Sequence, residues 1–418
     1  MLNKILWGIA TILIISSGIF FSFYLKGIQF NLSIASKNKK LNRNEISSFQ
    51  TLMMSIAAKV GVGSLAGIAL AIKKGGPGVI FWIWISSFIS APNAFVESYL
   101  GTKFRNKEET NSIGGPSYYI EKGLKNTKLA IAYAVIVTIT YTVCFGGIQA
   151  NTIVTSIYQK THIKPIYIGL ILTIIVAIII NKNTKKIFKI ISKLVPFMSI
   201  CYLVLGSLII IKNYAFIPNF FEIIIKDAFS KDTISTGVLT SLIIGMQRGI
   251  FSNEAGIGTG AIASAASNQA EPIDQGKMQV LGTYFISLII VTITAFIIMS
   301  SPYKSISIKN MNGIELTALS LKYHFGETGE ILLIMLVFFF AISTIIAGYY
   351  YGKTSISFIT KQRNDTNIKY KLLIMMVILV GSTINSSFIW HFSDIFIAVL
   401  AIINIYSMIK LRKYIDIW

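Results

Sequence analysis

Eleven stretches are apolar enough and long enough to predict membrane-crossing helices: 5–25, 48–72, 78–100, 129–158, 165–181, 188–211, 235–265, 278–300, 329–352, 371–388 and 391–409. About 20 apolar residues carry a helix across the hydrocarbon layer, and most of these runs reach that length. Segments 218–230 and 314–325 place apolar residues at helical spacing between charges, which predicts two short amphipathic helices lying on the outer face. The Lys- and Asn-rich stretches 36–44 and 361–371 read as short solvated connectors. The first run follows Lys4 but lacks a small-residue cleavage site, so it reads as a retained helix rather than a signal peptide.

Composition supports that pattern. Of 418 residues 54% are hydrophobic and 13% charged, with a mean hydropathy of +0.67. A soluble domain carries about a quarter charged residues, so an ordinary globular protein is excluded. Cys144 and Cys201 sit inside apolar runs and read as small core residues, which excludes a disulfide scaffold. The net charge of +21 is distributed by topology. Alternate loops hold 25 and 11 Lys and Arg, and Lys59 and Arg248 lie within spans. The positive-inside rule then sets the amino terminus outside and the carboxyl terminus in the cytoplasm. Membrane lipid is the expected macromolecular surround, and no nucleic acid is expected. Abundant Ile, Lys and Asn resemble the output of an AT-rich bacterial genome, placing the chain in a bacterial inner (plasma) membrane.

Two spans carry features that a lipid-facing helix has no use for. The second reads Ala57-Ala58-Lys59-Val60-Gly61-Val62-Gly63-Ser64-Leu65-Ala66-Gly67, and the seventh contains Gln247-Arg248-Gly249-Ile250-Phe251-Ser252-Asn253-Glu254-Ala255-Gly256-Ile257-Gly258. Clustered glycine, polar and ionic residues at membrane depth imply backbone that opens onto a cavity. Setting the first span aside, these two begin the halves of a five-plus-five arrangement. The predicted fold is therefore an all-α polytopic membrane protein of eleven transmembrane helices, with a five-plus-five inverted repeat preceded by one extra helix. Its expected divisions are 1–47 (extra helix and cytoplasmic loop), 48–212 (first repeat), 213–234 (extracellular connector) and 235–418 (second repeat). Glycine-interrupted spans at matching positions point to a transporter's central site. The free N–H groups of a half-helix suit a carboxylate, and unwound carbonyls suit a small hard cation. Taken singly, Gly63-x-x-x-Gly67 is equally the pattern of plain helix packing. Four intramembrane charges, Lys59, Glu97, Arg248 and Glu254, form a mutually neutralising set or include a group that senses or replaces a coupling ion. Each costs about 2.5–3.5 kcal/mol on insertion scales unless partnered. His162, His324 and His391 lie far apart with no metal spacing, and no nucleophile or dyad appears, so neither an enzyme nor a cofactor is expected. A channel remains a remote alternative, since no ring of like residues is evident.

The stretch Gln247 to Gly258 resembles the signature of the sodium:alanine symporter family (alanine or glycine:cation symporters). Gly75-Gly76-Pro77-Gly78 with Phe81-Trp82-Ile83-Trp84, Gly114-Gly115-Pro116-Ser117-Tyr118-Tyr119-Ile120-Glu121-Lys122-Gly123-Leu124 and Gln149-Ala150-Asn151 are similar to further family motifs. The resemblance implies a leucine-transporter-like fold and symport of small neutral amino acids with sodium by alternating access. It places the substrate carboxylate on backbone at Gly61, Val62 and Gly63. Phe251, Ser252 and Asn253 would meet its amino group and side chain, and Gln149 would line the same pocket. Sodium would be held by the carbonyls of Ala57 and Val60 and the hydroxyls of Ser343 and Thr344. Without the resemblance, those hydroxyls read first as bonds back to their own helix. A proton-coupled or sodium-independent route is the alternative, through Glu97, Glu254 or Lys59. Val62 and Ser64 stand where members commonly show Thr and Asn, and Lys59 where branches differ. Ile286 stands about where many carry Asp. Ala347-Gly348-Tyr349 replaces Gly-Trp-Ser, and losing that indole is expected to enlarge the pocket toward a substrate such as glutamine.

Overall fold

Hydrocarbon offers no partner for backbone N–H and C=O groups, so an apolar chain must close its hydrogen bonds within helices. A computed structural model describes residues 2–33, 45–107, 112–230, 237–302, 313–361, 365–384 and 386–417, and helix dominates throughout. Helix α1 spans Leu2–Tyr24. A bent pair follows, α2 (Ser48–Lys59) and α3 (Ala66–Gly75), and then α4 (Val79–Lys103). A two-stranded ribbon, β1 (Asn106–Lys107) with β2 (Ser112–Ile113), leads to the short α5 (Pro116–Leu124). Helices α6 (Thr127–Val137) and α7 (Gly146–Thr161) are joined without a break by π-helical Thr138–Phe145. Next come α8 (Pro165–Ile180), α9 (Thr184–Lys212) and α10 (Ile217–Phe229). The second interrupted element is α11 (Gly237–Asn253) with α12 (Thr259–Ser264). Helices α13 (Pro272–Tyr284) and α14 (Val291–Met299) flank π-helical Phe285–Ile290. The chain ends with α15 (Gly313–Phe325), α16 (Glu327–Thr360), α17 (Asp365–Gly381) and α18 (Ser386–Leu411).

Among the described residues seven helices are long and apolar enough to cross a membrane, eight if the bent α2–α3 pair counts as one span. Helices α8, α11 with α12, and α17 occupy the other three predicted runs. Both amphipathic segments are helical, as α10 and α15. The connector 36–44 lies outside the described residues. In 361–371 the expectation of a connector fails, because 365–371 open α17. Apolarity marks where a helix meets lipid, whereas its hydrogen bonds continue into the polar headgroup zone; α16 likewise outruns its predicted span at both ends.

Exposed apolar side chains form lipid-facing stripes. On α9 they are Phe197, Ile200, Val204, Leu208 and Ile211, and Cys201 is exposed among them. Cys144 is buried as expected, but Cys201 is no core residue, because an apolar run in a membrane has a lipid side as well as a core side. Helix α1 packs on α4 and α18, and Asn93 Nδ2 donates to Ile14 O at 2.9 Å. Gly18 lets the α1 and α4 backbones touch, since a Cβ there would lie 2.0 Å from Ile89 O. Helix α10 tucks beneath the start of α4, where Asp227 Oδ2 accepts from Gly78 N at 2.7 Å.

Candidate functional site

The first break begins where Lys59 ends α2. Gly61 is extended, residues 62–64 form one 3-10 turn, and α3 leaves at 62° to α2. Side chains hold the unwound backbone. Ser64 Oγ donates to Lys59 O at 3.2 Å, and Val62 N donates to Gln149 Oε1 at 3.3 Å. Among the described residues the N–H groups of Gly61 and Gly63 meet no acceptor. Gly61 is wedged between two side chains, so a Cβ would lie 2.8 Å from Thr344 Oγ1 and 2.9 Å from Gln149 Nε2.

The second break runs from Glu254 to Gly258. Glu254, Gly256 and Gly258 all have positive φ (53°, 92° and 104°), which ends helical hydrogen bonding. Asn253 turns back into this loop. Its Oδ1 accepts from Ala255 N at 3.0 Å, and its Nδ2 donates to Ser287 Oγ at 3.2 Å and Ser90 Oγ at 3.4 Å. Glu254 accepts from the hydroxyl of Thr259, the first residue of α12, at 2.6 Å. Glu97 of α4 accepts from Gly256 N at 3.0 Å, Gly258 N at 2.9 Å and Asn404 Nδ2 at 3.2 Å, all on Oε2. Tyr133 Oη donates to Ile257 O at 2.7 Å, and Tyr119 Oη donates to Asn404 Oδ1.

The two breaks meet at a cavity. Gly61, Gly63, Gln149, Phe251 and Ser252 line it, with Lys59, Glu254, Ala58, Phe145, Ile148 and Trp390. Five of the seven predicted substrate residues are thus brought together. Val62 faces an adjoining space of about 80 Å³ shared with Asn151 and Thr152. Asn253 lies outside the lining, since its amide is committed to the loop and to α4 and the π segment. Aromatic side chains narrow the space: Phe251 stands 5.9 Å from Phe145 and 6.1 Å from Trp390 by ring centroids. The cavity measures about 20 Å³, room for little more than one water, so an amino acid requires these rings to move apart. Gly348 is not among the residues lining this cavity. A Cβ there would lie 2.8 Å from Tyr141 O, so Gly348 lets α16 pack closely on the π-helical segment. Ile286 is fully buried in the core.

The four predicted sodium ligands divide. Thr344 Oγ1 lies 2.8 Å from Ala57 O and 3.0 Å from Phe340 O of its own helix, which places a hydroxyl and a carbonyl side by side next to Gly61. Val60 ends α2 with ψ at 64°, turning its carbonyl off the helix axis. Ser343 Oγ donates to its own helix at Phe340 O, 2.8 Å, and would have to rotate to serve an ion. Oxygen donors of this kind suit a hard cation.

The intramembrane charges are also resolved into neighbours. Lys59 donates to Gln279 Oε1 at 3.3 Å and interacts through space with Glu97 and Glu254. Arg248 stands 5.5 Å above the Phe251 ring and interacts with Asp394 of α18, a carboxylate that the sequence reading passed over. It also passed over Trp390, Asn404, Tyr119 and Tyr133, which only long-range folding brings here. Phe145 was legible, because it lies four residues before Gln149 and so on the same helical face.

A polytopic helical protein whose two interrupted helices line one shared cavity is a membrane transporter. The family profile described as "Sodium:alanine symporter family" matches residues 1–416. The chain belongs to the sodium:alanine symporter family, whose members are transporters and not enzymes. An uncharacterized transporter of Haemophilus influenzae is 35% identical over 97% of this chain and 86% of its own length. The "Probable sodium/glutamine symporter GlnT" of Bacillus subtilis is 34% identical over 98% and 87%. The sodium/alanine symporter AgcS of Methanococcus maripaludis is 29% identical over 98% and 93%. A Na+-coupled sialic acid symporter shares the fold, with a TM-score of 0.55 at 12% identity over 96% of this chain and 82% of that one.

Proposed function

We propose that this protein imports small neutral amino acids with sodium by alternating access. The observation that carries this reading is the meeting of two helix breaks at one buried cavity, with the Gly61 and Gly63 N–H groups free beside it. These N–H groups hold the substrate carboxylate, steadied by Gln149 on the Val62 backbone. Phe251 and Ser252 meet the amino group and side chain, and Asn253 sets their position from behind. Sodium sits beside Gly61, on Ala57, Val60, Ser343 and Thr344. This adjacency supports coupling, because Gln149 and Thr344 meet at the one space beside Gly61 that a side chain there would fill. Eleven crossings in two five-helix repeats, 48–212 and 235–418, with α1 outside the repeat and the amino terminus outside the cell, complete the reading.

One sodium ion crossing about 100 mV inward yields about 2.3 kcal/mol. A tenfold gradient adds about 1.4 kcal/mol, and the two support accumulation of roughly a few hundred-fold at one-to-one coupling. In liposomes, alanine, glycine or glutamine uptake driven by an inward sodium gradient is the expected result. Equal uptake in sodium and choline media would discard sodium coupling. Glutamine stays among the test substrates because a relative carries that name and because closure here depends on movable rings.

A further inference from the structure

A groove of about 570 Å³ opens between α2, α9, α13 and the π-helical segment after α13, with Leu52, Ile56, Ile200, Leu203, Leu281 and Leu288 among its walls. It has the size of a ligand pocket and is almost wholly apolar. Ile200 and Ile289 on its rim are exposed, so it is continuous with the lipid-facing stripe of α9. Two hydroxyls stand in its walls. Tyr284 Oη donates to Gln29 O at 3.3 Å, whereas Ser199 Oγ is buried without a partner. A serine in a membrane helix ordinarily bonds back to its own backbone, so an orphaned hydroxyl here calls for an acceptor from whatever fills the groove.

One end of the groove is basic. Helical spacing sets Lys189, Lys193, Pro196, Ile200 and Leu203 on one face of α9, and the last three of these line the groove. Lys189 and Lys193 are exposed and form no ion pair among the described residues. On α13, Lys277 stands one turn before Leu281, and its Nζ donates to Ser33 O at 2.7 Å, pinning the rim beside Leu32. Asp274, on the same face of α13, stands a further turn from the groove. Lipid tails are as apolar as these walls, so the walls hold a chain by shape and do not choose among lipids. Choice falls to the headgroup. Ammonium groups at a membrane surface favour an anionic lipid by about fivefold per lysine.

We propose that this groove binds an anionic phospholipid: one acyl chain lies between α2, α9 and α13, an ester carbonyl accepts from Ser199 Oγ, and the phosphate rests on Lys189 and Lys193. Met53 and Ile56 of α2 line the groove just ahead of Gly61, so the bound chain braces the helix that carries the first break. Binding at this site does not depend on the symport reading.

Native mass spectrometry of the purified protein, titrated with phosphatidylglycerol or with phosphatidylethanolamine, tests the site. The first phosphatidylglycerol is expected to bind about tenfold or more tightly than the first phosphatidylethanolamine, and Lys189→Gln with Lys193→Gln is expected to erase that preference. Ser199→Phe fills the groove and is expected to remove the first bound lipid of either kind. Should that variant fail to fold, Leu203→Trp serves the same purpose, and the exposed lysine substitutions keep the fold in any case. Phosphatidylglycerol should also raise the melting temperature of the unmodified protein and leave that of the double lysine variant unchanged. Equal binding of the two lipids, a preference that survives the lysine substitutions, or a first lipid unaffected by filling the groove overturns the proposal. A groove covered by a second copy of the chain, seen as a dimer without bound lipid, overturns it as well.

Discussion

Gly61 is the residue at which size matters most. Any side chain there enters the space of Thr344 Oγ1 and Gln149 Nε2 together. Gly61→Ala is expected to abolish sodium-dependent uptake in liposomes while the protein still reaches the membrane in normal amounts. Gln149→Ala frees the Val62 N–H and removes a cavity wall, and substrate affinity is expected to fall about tenfold or more, the equivalent of one or two hydrogen bonds. Substrate-induced thermal stabilisation checks this, and an unchanged shift would remove Gln149 from the site. Asn253→Ala leaves the Ala255 N–H and two hydroxyls without their partner. A loss of about 1–3 kcal/mol in stability is expected, read as a lower melting temperature with substrate absent. Glycines, Gln149 and Phe251 could be picked out from local sequence because their chemistry is unusual at membrane depth. The direction in which Asn253 points could not, since it depends on Ser90 and Ser287, remote in the chain.

At the scale of elements, a polar ladder joins α2 to α13. Thr51, Ser55 and Lys59 recur every four residues on one helix and meet Gln275 and Gln279, four apart on the other. This periodicity stands in the sequence, yet nothing local says which two helices pair. Gln279→Leu strands both the Ser55 hydroxyl and the Lys59 ammonium. A destabilisation of about 3–5 kcal/mol is expected for removing the partner of a buried charge, and Lys59→Met in the same chain should recover part of it. Failure of the second substitution to restore any melting temperature would refute the pairing. The breaks follow from glycine and positive φ, and the bend follows from the break. The π-helical stretches 138–145 and 285–290 had no signal in the sequence; in the first, Tyr351 and Phe251 pack on Tyr141 and Phe145.

At the scale of the molecule, charge asymmetry between alternate loops makes a prediction about orientation. A reporter that is active only in the cytoplasm, fused after Trp418, is expected to be active, and an inactive one would reverse the assigned topology. Hydropathy and glycine spacing are local quantities, so the sequence alone determined that the chain is a helical membrane protein, which stretches form the centres of its long apolar helices and which two are interrupted. Partnership is not local. That Glu97 binds the far break through Gly256 and Gly258, that Asp394 answers Arg248, and that Trp390 closes the cavity were decided by tertiary structure. In hydrocarbon every buried polar group must find a partner, but several candidates of each kind exist along the chain, and only the packing of helices selects among them.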